Sequence, residues 1–114
     1  SSIAFSLATL PAVGHLTLTG SADLAGTGND LANALTGNAG ANLLDGQAEA
    51  DTLDGSAGND TLLGGEGDDQ LTDLAGDNRL DGGEGADTLL TGSGTDTLTG
   101  GDGDDTYLVD DPAD

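Results

Sequence analysis

From Gly28 to Leu108 the chain repeats itself every nine residues, nine times, without a gap. The eighth position of each unit is Leu35, Leu44, Leu53, Leu62, Leu71, Leu80, Leu89, Leu98 and finally Tyr107. The sixth is Asn33, Asn42, Asp51, Asp60, Asp69, Asn78, Asp87, Asp96 and Asp105. The fourth is Gly in seven of the nine, with Leu31 and Glu49 as the exceptions. A period of nine excludes a simple amphipathic helix. At about 100° per residue, nine steps place successive leucines on opposite faces, and the glycines weaken such a helix further. A collagen-like chain is excluded too, because Gly does not recur at every third position and there are only two prolines.

A short strand followed by a tight turn fits this period. The strand is an x-Leu-x triplet, as in Thr52-Leu53-Asp54, Thr61-Leu62-Leu63, Thr88-Leu89-Leu90 and Thr97-Leu98-Thr99. Its central residue points inward and its neighbours outward. The six residues between triplets are glycine, small or acidic, which suits sharp reversal. Two nonapeptides then make one coil, and alternate leucines stack on opposite walls about 4.8 Å apart. One ladder is Leu35, Leu53, Leu71, Leu89 and Tyr107; the other is Leu44, Leu62, Leu80 and Leu98.

The chain therefore divides into irregular N-terminal β coils over residues 1–27, the nine repeats over 28–108, and the start of a further segment over 109–114. In the first part Ile3, Phe5 and Leu7 alternate with small or polar residues, and Leu16 and Leu18 do so again. These predict two strands separated by Leu10-Pro11-Ala12-Val13-Gly14, capping the first leucine layer. The stretch Asp23 to Asp30 looks like a repeat turn out of register with the nine. The abrupt beginning at Ser1-Ser2-Ile3 and ending at Asp111-Pro112-Ala113-Asp114 are those expected of a piece of a longer protein.

Charge narrows the function. Twenty-two acids face the single base Arg79, a formal net charge of −21. Such self-repulsion on a leucine-only core predicts a chain that is unfolded until a cation neutralises it. Nucleic acid is excluded as a partner, since nothing could neutralise phosphates. No stretch has the apolar length of a membrane span. The sixth-position carboxylates and amides, with carbonyls freed by the turn glycines, are hard oxygen donors suited to Ca²⁺. Zn²⁺ is disfavoured by the absence of Cys and the presence of one His.

Sixth positions two units apart fall on one edge of the coil. One edge carries Asn33, Asp51, Asp69, Asp87 and Asp105, and the other Asn42, Asp60, Asn78 and Asp96. Several ions between adjacent coils would take carboxylates from Asp51, Asp69, Asp87, Asp105, Asp60 and Asp96 and an oxygen from Asn78. Carbonyls would come from turn glycines such as Gly65, Gly67, Gly83, Gly85, Gly101 and Gly103. The Asp69/Asp87 and Asp87/Asp105 gaps rank first, and Asp51/Asp69 next. The Asn78 edge ranks last, because the unit 73–81 opens Asp73-Leu74-Ala75-Gly76 and lacks the aspartate. Asn33 and Asn42 offer only neutral oxygens, and Glu49 strains the turn before Asp51 by replacing a glycine.

Three units in unbroken register, 64–72, 82–90 and 100–108, match G-G-x-G-x-D-x-U-x. They resemble the repeats-in-toxin (RTX) haemolysin-type nonapeptide, and the resemblance covers all nine units. It implies an all-β, right-handed parallel β-roll or β-solenoid with two nonapeptides per coil and Ca²⁺ between turns. It further implies export by the type I secretion machinery of a Gram-negative bacterium, to the medium or the cell surface. The expected function is a calcium-binding module that folds and stabilises a large secreted or surface protein, such as an adhesin, S-layer, biofilm or fibre protein. Neighbouring copies of the unit or surface polymers are its possible further partners. A second reading makes it the C-terminal roll of a secreted hydrolase, protease or toxin. A third, an ice- or ligand-binding surface, is opposed by the broken threonine column Ala34, Thr52, Gln70, Thr88, Thr106.

No enzymatic role is expected of the segment itself. His15 is expected to pack or face solvent, Arg79 to be an exposed counter-charge, and Tyr107 to end its ladder. The acid pairs Asp68-Asp69 and Asp104-Asp105 recur with the turns, which favours cation ligation over acid–base chemistry. Asp102-Gly103-Asp104-Asp105-Thr106-Tyr107 fails the EF-hand pattern at its fifth and sixth positions.

Overall fold

The computed structural model describes the backbone of Ile3–Ser6 and the whole of residues 14–109. Leu7, the connector from Leu10 to Val13 and the tail from Asp110 onward lie outside the described residues. Among the described residues twelve strands follow in chain order: β1 Ile3–Ser6, β2 His15–Thr17, β3 Leu24–Thr27, β4 Ala34–Thr36, β5 Leu43–Ala48 and β6 Thr52–Asp54. Then come β7 Thr61–Glu66, β8 Gln70–Ala75, β9 Arg79–Glu84, β10 Thr88–Ser93, β11 Thr97–Asp102 and β12 Thr106–Leu108. No helix occurs among the described residues, so none is long and apolar enough to cross a membrane.

Odd-numbered strands form one six-stranded sheet and even-numbered strands the other, with neighbours parallel throughout. Each strand pairs with the one two places along the chain, so a coil consists of two strands and two turns. The chain is a parallel β-solenoid. Its register follows the ladders: Leu53 pairs with Leu35 and Leu71 on one wall, and Leu62 with Leu44 and Leu80 on the other. Leu44, Leu53, Leu62, Leu71, Leu80 and Leu89 are each 0% exposed. Each stacked leucine contributes about 2 kcal/mol by leaving water.

Both ends of the ladders differ from their middles. At the C-terminal end Leu98 is only partly buried, and Tyr107, although in register with Leu89, is 49% exposed. Its hydroxyl accepts a hydrogen bond from the Gly100 N–H at 2.8 Å, which turns the ring toward the last turn. At the N-terminal end Gly26 stands in the register position of Leu44. Leu16 and Leu44 pack down onto it, and Leu18 and Leu24 complete the buried cluster. Of the stretch Asp23 to Asp30, Leu24–Thr27 form strand β3, paired with both β1 and β5, and Gly28 to Asp30 lie in the turn that follows.

Most strands of the regular part are also longer than the expected triplet. β5 and β7–β11 each run six residues, past the first position of the following unit to its third. That first position points inward, two residues after the leucine, where the roll is narrowest. Gly46, Gly64 and Gly82 occupy it because a Cβ there would overlap the carboxylate of their own sixth-position residue. Glycine is demanded again at Gly85, where φ is 129° and a Cβ would overlap the Gly67 carbonyl one coil back. Three other residues hold positive φ without being glycine: Gln47 (87°), Glu49 (75°) and Ser56 (79°). The expected strain at Glu49 is therefore present, with Gln47 in the same turn.

Candidate metal sites

The sixth-position side chains line the two edges of the solenoid from inside. On both edges, from Asp51 and Asp60 onward, the Oδ1 of a sixth-position residue accepts the N–H of the sixth residue one coil earlier. On one edge Asn33 donates to Asp51 (2.6 Å), Asp51 to Asp69 (2.7 Å), Asp69 to Asp87 (2.8 Å) and Asp87 to Asp105 (3.0 Å). On the other edge Asn42 donates to Asp60 (2.6 Å), Asp60 to the Asn78 Oδ1 (2.9 Å) and Asn78 to Asp96 (2.8 Å). One oxygen of each of these accepting side chains is thereby committed to holding the coils in register.

The second oxygen is not satisfied. Oδ2 of Asp51, Asp60, Asp69 and Asp87 is buried with no hydrogen-bond partner, and these residues are at most 2% exposed. A buried carboxylate oxygen without a donor costs several kcal/mol unless a proton or cation meets it. Burial accordingly pushes the Asp51 carboxyl up to about 7, with the charges of Asp69, Asp45 and Glu49 adding and the Asn33 N–H opposing. Burial pushes Asp69 up to about 6, with Asp87 and Asp68 adding to the effect. Burial raises Asp87 as well, and the charges of Asp105, Asp68 and Asp81 raise it further.

The asparagine turns are built differently. The Asn33 Oδ1 accepts the Asn29 N–H at 2.7 Å, and its Nδ2 donates to the Asn29 Oδ1 at 2.8 Å. Asn42 and Asn38 repeat the arrangement at 2.7 and 2.9 Å. An amide carries its own donor, so these two turns close on themselves where an aspartate turn leaves an orphaned anion.

The remaining donors are backbone. Gly65, Gly83 and Gly101 form one column on the Asp51–Asp105 edge, and Gly67, Gly85 and Gly103 a second. Within each column the preceding carbonyl lies directly against the next glycine. Sixth-position carbonyls are spent between coils, for example Asp69 O accepting from Thr88 N at 2.8 Å. Among the described residues no three His, Cys, Asp or Glu side chains converge on one point. A cation here would thus draw on one or two carboxylates and on carbonyls, all of them oxygen. That donor set fits Ca²⁺, which accepts six to eight oxygens at flexible geometry, better than Mg²⁺ or Zn²⁺.

Asp68 faces solvent and its Oδ1 accepts the Ala86 N–H at 2.9 Å, while Asp69 is buried. His15 is exposed in β2. Arg79 is exposed in β9 and meets Asp81 at 3.7 Å, as a surface counter-charge should. One buried acid was legible in the sequence only as a departure from the repeat. Asp73 takes the first position, where most units have Gly, and is 0% exposed.

A leucine-laddered parallel solenoid with inward aspartates at both edges is the architecture of a calcium-binding repeat protein. The chain matches the family model of the RTX calcium-binding nonapeptide repeat in four copies, at residues 24–62, 36–71, 63–98 and 72–107. These matches span most of the chain, and it belongs to that family, as a calcium-binding repeat module. No curated protein and no solved structure matches it significantly.

Proposed function

We propose that this segment is a calcium-driven folding and stabilising module of a large protein secreted by, or displayed on, a Gram-negative bacterium. The observation that carries the reading is the set of buried Oδ2 atoms on Asp51, Asp60, Asp69 and Asp87 that lack any hydrogen-bond partner. With a formal charge of −21 on the chain, those atoms oppose folding until a cation neutralises them. Calcium would lie between coils at the Asp51/Asp69, Asp69/Asp87 and Asp87/Asp105 gaps. Carbonyls of Gly65, Gly67, Gly83, Gly85, Gly101 and Gly103 would complete its shell. Asp60 and Asp96 would serve the other edge, with Asn78 contributing no charge.

Binding energy is then folding energy, so the module stays unfolded at low cytosolic calcium, passes through a secretion channel, and folds outside. An adhesin, S-layer, biofilm or fibre protein is the host we favour, because stacked repeats of this kind extend a rod. A threonine-array surface has less support, since Gln70 and Ala34 interrupt the column that runs through Thr52, Thr88 and Thr106. Far-UV circular dichroism of the chain in excess chelator and in millimolar calcium tests the reading. A coil spectrum that turns to β on adding calcium is expected, and a β spectrum already present in chelator at neutral pH would defeat it.

A further inference from the structure

The second edge has a gap that its sixth-position residues cannot fill. On the Asp51–Asp105 edge each gap is flanked by two carboxylates. Between the coils of Asp60 and Asn78 there is only one. The Asn78 Oδ1 is taken by the Asp60 N–H, and its Nδ2 donates to the Gly76 carbonyl at 3.3 Å, so Asn78 offers no free anionic oxygen.

Asp73 stands in the same unit as Asn78, five residues earlier. It lies in β8, in register with Thr91 of β10, and points into the roll from a position where Gly46, Gly64 and Gly82 have no side chain. Its carboxylate reaches back one coil. A Cβ placed on Gly55 would overlap the Asp73 Oδ2 and would lie 2.7 Å from the Asp60 Oδ2. The two Oδ2 atoms therefore lie against the same point beside Gly55. Both Oδ2 atoms are buried, and neither has a donor from elsewhere in the chain. Two acceptor oxygens facing one another in a dry interior repel unless something positive lies between them.

We propose that Asp73 is a calcium ligand that replaces the missing carboxylate of Asn78, so that Asp60 and Asp73 together hold one Ca²⁺ on the second edge. This rests on the calcium reading of the module and extends it to a residue outside the sixth-position pattern. The repeat has moved one carboxylate by five residues and kept two at this gap. The site accordingly needs Gly55 opposite, since any side chain there would fill the space the two oxygens share.

Competition between the 114-residue chain and a chromophoric calcium chelator, counting ions and affinities, tests this. Asp73→Gly restores the glycine of the other units and should fold in saturating calcium, but it should bind one ion fewer, or one ion at least tenfold more weakly. Asp73→Asn, which keeps the volume and removes the charge, should lose the same ion. Asp73→Gly combined with Asn78→Asp should regain it. Unchanged stoichiometry and affinity in Asp73→Gly and Asp73→Asn, or tighter binding in either, would overturn the proposal; that result identifies the bridging species as a proton. Such a result leaves calcium binding at the first edge intact. A wild-type chain that binds no calcium at all overturns the module reading together with this one.

Discussion

Asp69 is the residue at which the calcium reading can be tested with least structural disturbance. Its Oδ1 accepts the Asp51 N–H at 2.7 Å, while its Oδ2 has no partner. Asparagine has the same shape and keeps the Oδ1 bond, so Asp69→Asn removes the charge and little else. Asp69 flanks two gaps, toward Asp51 and toward Asp87. At free calcium 100 times the dissociation constant each ion contributes ~2.7 kcal/mol, so up to ~5 kcal/mol is at stake. If about four ions couple to folding, each worth ~1.4 kcal/mol per decade of calcium, the midpoint of the calcium titration rises by up to about tenfold, less what removing the buried charge restores to the calcium-free fold. Far-UV circular dichroism against buffered free calcium measures it. An internal control comes from acid: with calcium chelated at pH 4.5, folded Asp69 is protonated and nearly isosteric with Asn, so Asp69→Asn should be no less stable than the parent chain there. An unchanged calcium midpoint in Asp69→Asn, or a loss of equal size in the acid control, would refute the assignment of Oδ2 to metal.

Protons should partly substitute for calcium. Buried Asp51 and Asp69 are raised to about 7 and about 6, and Asp87 is raised too, against about 3.9 in an unfolded chain. The folded state therefore binds more protons over that interval, and stability falls as pH rises from about 4 through the folded values. In chelator the β signal should be stronger near pH 4.5 than at pH 8; growth of β structure toward alkaline pH would contradict the burial argument. The strained turn before Asp51 yields the third expectation. Glu49 holds φ at 75° and adds its charge to the field on Asp51, so Glu49→Gly should stabilise the calcium-loaded roll by ~1 kcal/mol in urea unfolding. Destabilisation by that change would show that the Glu49 side chain makes a contribution outweighing its backbone strain.

Much of this molecule follows from its period. A unit of nine with one inward leucine can stack only by placing equivalent residues one coil apart, eighteen along the chain. The ladders, the two walls and the grouping of Asp51, Asp69, Asp87 and Asp105 on one edge were all legible for that reason. The family pattern rests on the same repetition.

Features that break the period were decided by the tertiary structure. Whether Asn33 and Asn42 would reach for a cation or close their own turns depended on Asn29 and Asn38 standing within 3 Å of them. Tyr107 kept the register of its ladder but not its burial, because nothing described lies beyond it to cover the ring. Asp73 appeared in the sequence as a defect in a weak unit. Only the folded chain sets its Oδ2 against that of Asp60, thirteen residues away instead of eighteen. Repetition specifies contacts between equivalent positions. A contact between unequal positions depends on which way a side chain points inside the narrow edge of the roll, and that direction exists only once the coils are stacked.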